Sequence, residues 1–190
     1  MEIKTLKPQN FPSSLKEIPS PPKELYLIGD LPAEEDYIYL AVVGTRKFSN
    51  YGKEVCEKII GGLRGYNFVI VSGLALGIDS IAHHAAIENN LPTVAIPGSG
   101  LNDKVLHPRS NLKLAKQIIE AEGCLLSEFP PDYPAGLHTF PQRNRIIAGI
   151  SRGTLIIEAP ERSGALITAG FALDFNRDVF AVPGSIFNEN

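Results

Sequence analysis

The chain has 190 residues and a formal net charge of −3, with 44% hydrophobic and 21% charged residues. These values are typical of a globular domain large enough to bury an α/β core, and they argue against a disordered or repetitive protein. The acidic balance also argues against nucleic-acid binding through charge spread over the whole surface.

The N-terminal segment predicts neither export nor membrane insertion. Its first 15 residues lack the apolar core of a secretory signal, and no apolar run reaches the length of a membrane span. Cys56 and Cys124 lie far apart in hydrophobic patterns, which favours buried thiols in a reducing compartment over a disulfide or zinc site. We therefore expect a cytoplasmic protein without a membrane partner.

Residues 1–37 contain six prolines, which predicts an irregular leader with at most short turns, packed on a core domain of residues 38–190. In that core, short apolar runs alternate with helical patterns. The predicted strands are 38–43, 67–71, 93–96, 124–126, 154–157 and 179–182, and the predicted helices are 51–63, 78–89, 111–121, 144–150 and 165–175. This alternation predicts an α/β, Rossmann-like fold, with a mainly parallel sheet and helices on both faces.

Small or turn-forming residues follow most of the predicted strands, starting at Gly44, Ser72, Pro97, Ser127 and Pro183. The carboxyl ends of parallel strands share one edge, where open α/β folds bind ligands and helix N-termini favour phosphate. Any single loop could be a plain turn. Their recurrence predicts an anion-binding edge.

The segment Gly44-Thr45-Arg46 follows the first core strand. The glycine would allow close approach, the hydroxyl could hydrogen-bond a phosphate oxygen, and Arg46 could pair with it bidentately. The alternative is an arginine that only caps the sheet edge. The segment is not a P-loop, and no G-x-G-x-x-G opens the next helix, so we expect no nucleotide hydrolysis, no NAD and no other cofactor.

Residues 140–145 (FPQRNR) place two arginines near a predicted helix start, where they oppose the helix dipole unless an anion or an acidic group compensates. The structural alternative is an ion pair from Arg143 or Arg145 to Glu128 or Glu158. Glu158 itself could bind a ribose or base, repel phosphate or hold an arginine, and we favour the last role.

Ser163 can cap the helix after the fifth core strand, and Gly164 leaves room for a ligand. Asp79 and His83 are spaced i,i+4, and we expect a hydrogen bond between them that fixes the loop of residues 72–77. His84 projects about 100° away from His83 on a helix, so we expect no metal site. No nucleophile elbow and no H-E-x-x-H occur, so we expect no catalytic residue.

Between Lys104 and Lys116 the chain carries Lys104, Arg109, Lys113 and Lys116 and no acidic residue, so this stretch has a charge of about +4 on a chain that is negative as a whole. This pattern fits either a solvated helix face or a contact with nucleic acid.

The run at 71–83 (VSGLALGIDSIAH) closely resembles the signature of the DprA (Smf) family. Further similar segments follow in the same order over about residues 11–187: GTR at 44–46, FPQRNRIIAG at 140–149, SGALITA at 163–169 and VFAVPGSI at 179–186. The resemblance implies an extended Rossmann fold that binds single-stranded DNA without sequence preference. It also implies protection of that DNA from nucleases and loading of a RecA-type recombinase during transformation and recombination.

By position, the resemblance places Gly44, Thr45 and Arg46 in the family's phosphate-binding loop, and Ser72, Gly73, Arg143, Asn144, Ser163 and Gly164 in motifs that line the same pocket. Lys104 falls in a loop that often carries a basic residue in the family, although His107 replaces a tyrosine there. Many relatives continue beyond the segments matched, so DNA binding is implied more directly than a homodimer or recombinase loading.

The alternative is a nucleotide-binding or phosphoribohydrolase-like protein of the same superfamily. Enzymes of the LOG type carry P-G-G-x-G-T-x-x-E, and Ser163-Gly164-Ala165 lacks that pattern.

Overall fold

The computed structural model describes residues 2–184. In that range eight strands form one sheet, with helices packed on both faces. The strands are β1 (Lys4–Leu6), β2 (Leu25–Gly29), β3 (Ile38–Val43), β4 (Phe68–Ser72), β5 (Thr93–Ala95), β6 (Cys124–Ser127), β7 (Gly153–Ile156) and β8 (Asp178–Ala181). The helices are α1 (Ser13–Lys16), α2 (Asn50–Gly62), α3 (Ile78–Glu88), α4 (Leu112–Glu120), α5 (Thr139–Ile150) and α6 (Gly164–Asp174).

The sheet has the order β1-β2-β6-β5-β4-β3-β7-β8. The strands from β3 to β8 are parallel, and β2 joins β6 in the antiparallel sense. The chain runs from β3 through β4 and β5 to β6 in one direction and then returns to place β7 on the other side of β3. This reversal creates a topological switch point, where open α/β sheets form a crevice at the carboxyl ends of their strands.

Successive side chains along a strand point to opposite faces of the sheet, and this divides the buried residues between two hydrophobic layers. In β3, Ala41 and Val43 pack toward α1, α5 and α6, whereas Val42 packs toward α2 and α3. A third cluster lies between α4 and the sheet. The predicted α/β architecture with helices on both faces is therefore confirmed.

The sequence predicted an irregular leader, but residues 1–37 supply two strands, β1 and β2, to the sheet. Its prolines lie outside these strands, and β2 is hydrogen-bonded to β6, far away in the sequence. Leu25 and Leu27 join Phe11 and Leu15 in the same buried cluster as the core strands. The leader and residues 38–184 thus share one sheet and one hydrophobic layer.

The helix α5 begins at Thr139, earlier than the predicted start at residue 144. Pro141 lies in its first turn, where a missing N–H group costs no helical hydrogen bond. The Thr139 hydroxyl donates to Gly98 O over 2.6 Å and so fixes the helix start against the loop after β5.

Both cysteines are buried and free, and burial raises the pKa of the Cys56 thiol to about 12. None of the helices described has the length and apolar composition required to cross a lipid bilayer.

Candidate nucleic-acid interface

A cavity of about 310 Å³ opens at the carboxyl edge of the sheet, between the loops that follow β3, β4 and β7 and the start of α5. We call it the switch-point cavity. Seven of the ten residues nominated from the sequence line it: Gly44, Thr45, Arg46, Arg143, Asn144, Ser163 and Gly164.

Arg46 lies at the mouth of this cavity and is exposed. Its guanidinium carbon lies 5.4 Å from the ring centroid of Phe140, a distance suited to a cation–π contact. Among residues 2–184 it has no ion pair and no side-chain hydrogen bond. Its charge is therefore held in place by an aromatic face and remains available to an anion.

Gly44 and Thr45 shape the loop that carries Arg46. A Cβ atom at position 44 would lie 2.6 Å from Ile78 Cγ1, so the glycine is required for packing against α3. The Thr45 hydroxyl accepts a hydrogen bond from Lys47 N over 3.1 Å. These contacts stabilise the turn that presents Arg46.

The N-terminus of α6 forms the opposite side of the cavity. Ser163 is its N-cap, as predicted, and Leu166 N donates to Ser163 Oγ over 3.4 Å. A Cβ atom at Gly164 would meet only Asn144 Nδ2, at 3.9 Å, so this position leaves open space. The unpaired amides at the start of this helix give the cavity a partial positive charge suited to phosphate.

Arg143 is buried, with 5% of its surface exposed. The sequence suggested a ligand-binding side chain, but most of its hydrogen bonds are made inside the protein. Its Nη1 atom donates to Gly73 O over 2.5 Å and also to Ile96 O, and its Nε donates to Asn144 Oδ1. Burial lowers the pKa of Arg143 to about 10, against the opposing effect of the Asp79 carboxylate. Neither Glu128 nor Glu158 is its partner.

Asp79 fixes the loop after β4, but without the predicted hydrogen bond to His83. Its Oδ2 atom accepts hydrogen bonds from Gly73 N at 3.0 Å and from Ala75 N at 3.3 Å. The His83 ring instead pairs through Nδ1 with Thr93 Oγ1 over 2.8 Å, because it faces β5. Asp79 therefore fixes the loop of residues 72–77, as expected, but through the loop amides and not through His83.

Three nominated residues do not line the switch-point cavity: Ser72, Gly73 and Lys104. Ser72 is fully buried, and its hydroxyl donates to Val42 O in the neighbouring chain segment over 2.7 Å. Lys104 lines a separate cavity of about 690 Å³ beside β2 and α4, because its loop turns toward those elements. Gly73 lines a small cavity next to the switch-point cavity, and Arg46 lines both of them.

That small cavity also contains His107 and Phe140, which were not nominated. Their ring centroids lie 5.6 Å apart. Phe140 belongs to the FPQRNR segment and is one of the few aromatic residues near the predicted loops, so its ring was the available sequence signal for base stacking. His107 carried no local signal for this position, because the loop that brings it there is set by tertiary packing.

Glu128 and Glu158, the two glutamates considered as partners for the arginines, both have partners within the protein. Arg145 pairs with Glu128, which confirms one of the alternatives considered for that arginine. The prediction that Glu158 holds an arginine is wrong. Its Oε2 atom accepts hydrogen bonds from Ser49 N and Ser49 Oγ instead, at 3.0 and 3.1 Å. It therefore anchors the start of α2.

Among residues 2–184, no group of three or more histidine, cysteine, aspartate or glutamate side chains is arranged to hold a metal ion.

Comparison with known proteins gives consistent matches over nearly the whole chain. Protein Smf from Synechocystis sp. is 46% identical over 179 residues, which cover 93% of this chain and 44% of that protein. DNA processing protein DprA from Streptococcus pneumoniae is 45% identical over 179 residues, which cover 94% of this chain and 61% of that protein. The chain thus spans about half the length of the curated relatives it matches.

Solved structures agree with these relatives. The X-ray structure of DprA from Streptococcus pneumoniae has a TM-score of 0.88 at 40% identity and covers 99% of this chain and 65% of that chain. DNA processing protein A from Helicobacter pylori, whose structure was studied for its single-stranded DNA binding mode, also has a TM-score of 0.88, at 29% identity over 99% of this chain and 84% of that chain. A molybdenum cofactor binding protein from Rippkaea orientalis, at 14% identity and a TM-score of 0.56, shares the fold alone.

A family model described as DNA recombination-mediator protein A matches residues 2–190. The fold, the sequence motifs and these relatives lead to one conclusion: the chain belongs to the DNA recombination-mediator protein A family, known as DprA or Smf.

Proposed function

We propose that this chain binds single-stranded DNA without sequence preference at the switch-point cavity and catalyses no reaction there. The observation that carries the proposal is the position of Arg46, an exposed cation without a protein partner in the described residues, opposite the N-terminus of α6. Both features favour a phosphate group between them. The single-stranded DNA binding of the Helicobacter pylori relative supports this assignment.

The shape of the site favours a single strand over a duplex. Phe140 lies beneath Arg46 and lines both cavities, so an unpaired base can approach its ring while the adjacent phosphate meets Arg46. Stacking on an aromatic ring contributes roughly 1–3 kcal/mol per base and tolerates any base. A cavity at a sheet edge does not admit a whole double helix.

Sequence independence follows from the kind of contact available. Hydrogen bonds to phosphate position a strand but carry no sequence information, whereas readout needs donors and acceptors aimed at base edges. Arg46 and the first amides of α6 are phosphate-binding groups, so we expect phosphate contacts to dominate the affinity.

The same assignment extends to the cellular role. A protein that covers single-stranded DNA protects it from nucleases, and the family description supports a role as recombination mediator. A mediator of this kind would act with a RecA-type recombinase as its partner. We propose this role, together with a homodimer, for the protein to which these residues belong.

The test of the proposed function is a fluorescence titration of oligo(dT) and of a duplex of equal length. We expect tighter binding of the single strand, because only splayed phosphates and bases enter the cavity. Equal affinity for the two would contradict the proposal. In parallel, incubation with nucleoside monophosphates, ATP and labelled DNA should give no turnover. Product in excess of enzyme that is lost in Glu158→Gln would support the nucleotide-processing alternative instead.

A further inference from the structure

The polar groups of the switch-point cavity are largely occupied by the protein itself. Apart from Arg46, each polar side chain in its lining makes at least one hydrogen bond within the chain, although Ser163 Oγ only accepts one there, from Leu166 N. These side chains are Thr45, Asp79, Arg143, Asn144, Ser163 and Thr168.

This occupancy determines what the site can distinguish in a nucleic acid. A protein separates RNA from DNA at a given position by contacting the 2′-hydroxyl, which is both a donor and an acceptor. Such a contact needs a side chain that is held in place with free hydrogen-bonding capacity. The Asn144 amide is used at both ends, since its Oδ1 accepts from Arg143 Nε and its Nδ2 donates to Gly164 O over 3.1 Å.

Asp79, which lines the cavity, and Glu158, which does not, each accept hydrogen bonds within the chain through one carboxylate oxygen. Asp79 Oδ2 accepts from two loop amides beneath the cavity, and Glu158 Oε2 accepts from Ser49. A carboxylate is the acceptor that α/β nucleotide sites use to hold a ribose hydroxyl. Asp79 is buried, and Glu158 is outside the lining of the cavity, so neither carboxylate is in position for that role here.

Space does not exclude the hydroxyl either. Gly164 is exposed, and a Cβ atom at this position would meet only one atom, at 3.9 Å. Arg46, across the mouth, is exposed as well. A sugar between these two residues would keep its 2′-hydroxyl in water. The free energy of hydration of that hydroxyl would therefore change little on binding.

We propose that the switch-point cavity does not discriminate ribose from deoxyribose, so that the chain binds single-stranded RNA as it binds single-stranded DNA. This inference rests on the proposed function, because it assigns a second class of strand to the same phosphate site. The free groups at the site recognise a phosphodiester backbone, which the two nucleic acids share.

The experiment compares oligo(dU) with oligo(rU) of the same length, two strands that differ only in the 2′-hydroxyl. Fluorescence anisotropy at one salt concentration should give Kd values that agree within about fivefold, since one hydrogen bond gained or lost at the sugar would exceed that ratio when it is well formed. A ratio above about fivefold in either direction overturns the inference. If oligo(dU) binds and oligo(rU) does not, the inference fails and the proposed function stands; if neither binds, both fail.

A pair of variants locates the RNA site. Arg46→Ala should weaken the binding of both oligonucleotides by the same factor, because the same guanidinium meets the phosphate in each. Arg64→Ala removes an exposed arginine after the end of α2, at the opposite edge of the sheet, and should leave both affinities unchanged. Circular dichroism checks that each variant is folded. Loss of DNA binding alone in Arg46→Ala would show that RNA binds elsewhere and would overturn the inference.

Discussion

At the scale of single residues, Arg46 is the charged side chain of the switch-point cavity that faces solvent, whereas Arg143 lies below it in the protein interior. The two arginines therefore have different roles. Arg143 joins the loops after β4 and β5 through their carbonyl groups. Arg46 contacts Phe140 and leaves its donors to a ligand.

Arg46→Ala should weaken single-strand binding by roughly 1.5–3 kcal/mol, because a charge-assisted hydrogen bond to phosphate is lost. The loss should be about equal for dT and dA. The slope of log K against log salt should become shallower by about 0.7, since one phosphate contact fewer releases counterions. Arg46→Lys should recover only part of the affinity, because lysine lacks the bidentate fork.

Titrations across a range of salt concentrations check this prediction, with Arg64→Ala as the control for removal of one surface charge. A folded Arg46→Ala protein with unchanged affinity and unchanged salt slope would show that the phosphate site lies elsewhere. The basic residues of the 104–116 stretch would then be the next candidates.

His83 gives a pH dependence at the same scale. Burial, with the nearby His84 and Arg143, lowers its pKa from 6.5 to about 3. Between these values the unfolded chain binds a proton that the folded protein does not, so the free energy of unfolding should fall as the pH is lowered from 6.5 toward 3. The largest contribution to this slope is about 1.4 kcal/mol per pH unit.

Urea denaturation between pH 4.5 and 7 measures that slope. His83→Gln removes the titrating group and should give a shallower dependence of stability on pH, whatever its effect on stability at pH 7. The matched change His84→Gln, at the exposed neighbour, should keep most of the slope. Identical slopes in the wild type and His83→Gln would refute the assignment.

At the scale of elements, the loop of residues 73–77 joins β4 to α3 and is held from three sides. Asp79 binds two of its amides, Arg143 binds Gly73 O, and Asn111 Nδ2 donates to Leu74 O over 2.8 Å. The backbone of this loop is constrained: φ is 58° at Leu74 and 83° at Gly77. Such conformations persist where the surrounding contacts determine them.

Gly77→Ala should destabilise the protein by about 1–3 kcal/mol and also weaken single-strand binding. A Cβ atom there would lie 2.3 Å from Thr45 O and 2.7 Å from Arg46 Cα, so the substitution would push on the phosphate loop itself. Chemical denaturation and the DNA titration measure the two effects.

Gly170→Ala is the control, because nothing lies within 4 Å of a Cβ atom at this position inside α6. It should stabilise the protein by roughly 0.5–1 kcal/mol through helix propensity and leave DNA affinity unchanged. If Gly77→Ala behaves in the same way, the close contact between the two loops is not as described.

At the scale of the whole molecule, the N-terminal segment is part of the sheet and is tied to the core by polar contacts. Arg145, on α5, donates to Ser20 O over 2.7 Å and pairs with Glu128, which follows β6. The side chains of this ion pair are 16% and 8% exposed. These two contacts of Arg145 therefore link the leader, α5 and the loop after β6.

Arg145→Ala should lower the free energy of unfolding by roughly 3–5 kcal/mol, because it leaves the buried Glu128 carboxylate without its partner. Unfolding should remain a single transition, since the leader and the core share one hydrophobic layer. Urea denaturation followed by far- and near-UV circular dichroism checks both statements.

Lys4→Ala provides the comparison, because it breaks the exposed ion pair with Asp30, and we expect no measurable change in stability. A loss in Arg145→Ala no larger than that in Lys4→Ala would show that the buried ion pair contributes little.

The sequence by itself determined the core strands, most of the helix bounds, the position of Arg46 and the cap at Ser163. Each of these depends on local information: periodic burial, a turn residue after a strand, or a hydroxyl before a helix. Tertiary structure decided the pairing of β2 with β6, the burial of Arg143, the partners of His83 and Glu158, and the separation of Lys104 from the cavity. The partners of β2, Arg143 and Glu158 lie far away in the sequence, so the order of strands in the sheet, which no local pattern encodes, brings them together. Thr93 is only ten residues from His83, but the packing of α3 on β5 decides that the ring meets it.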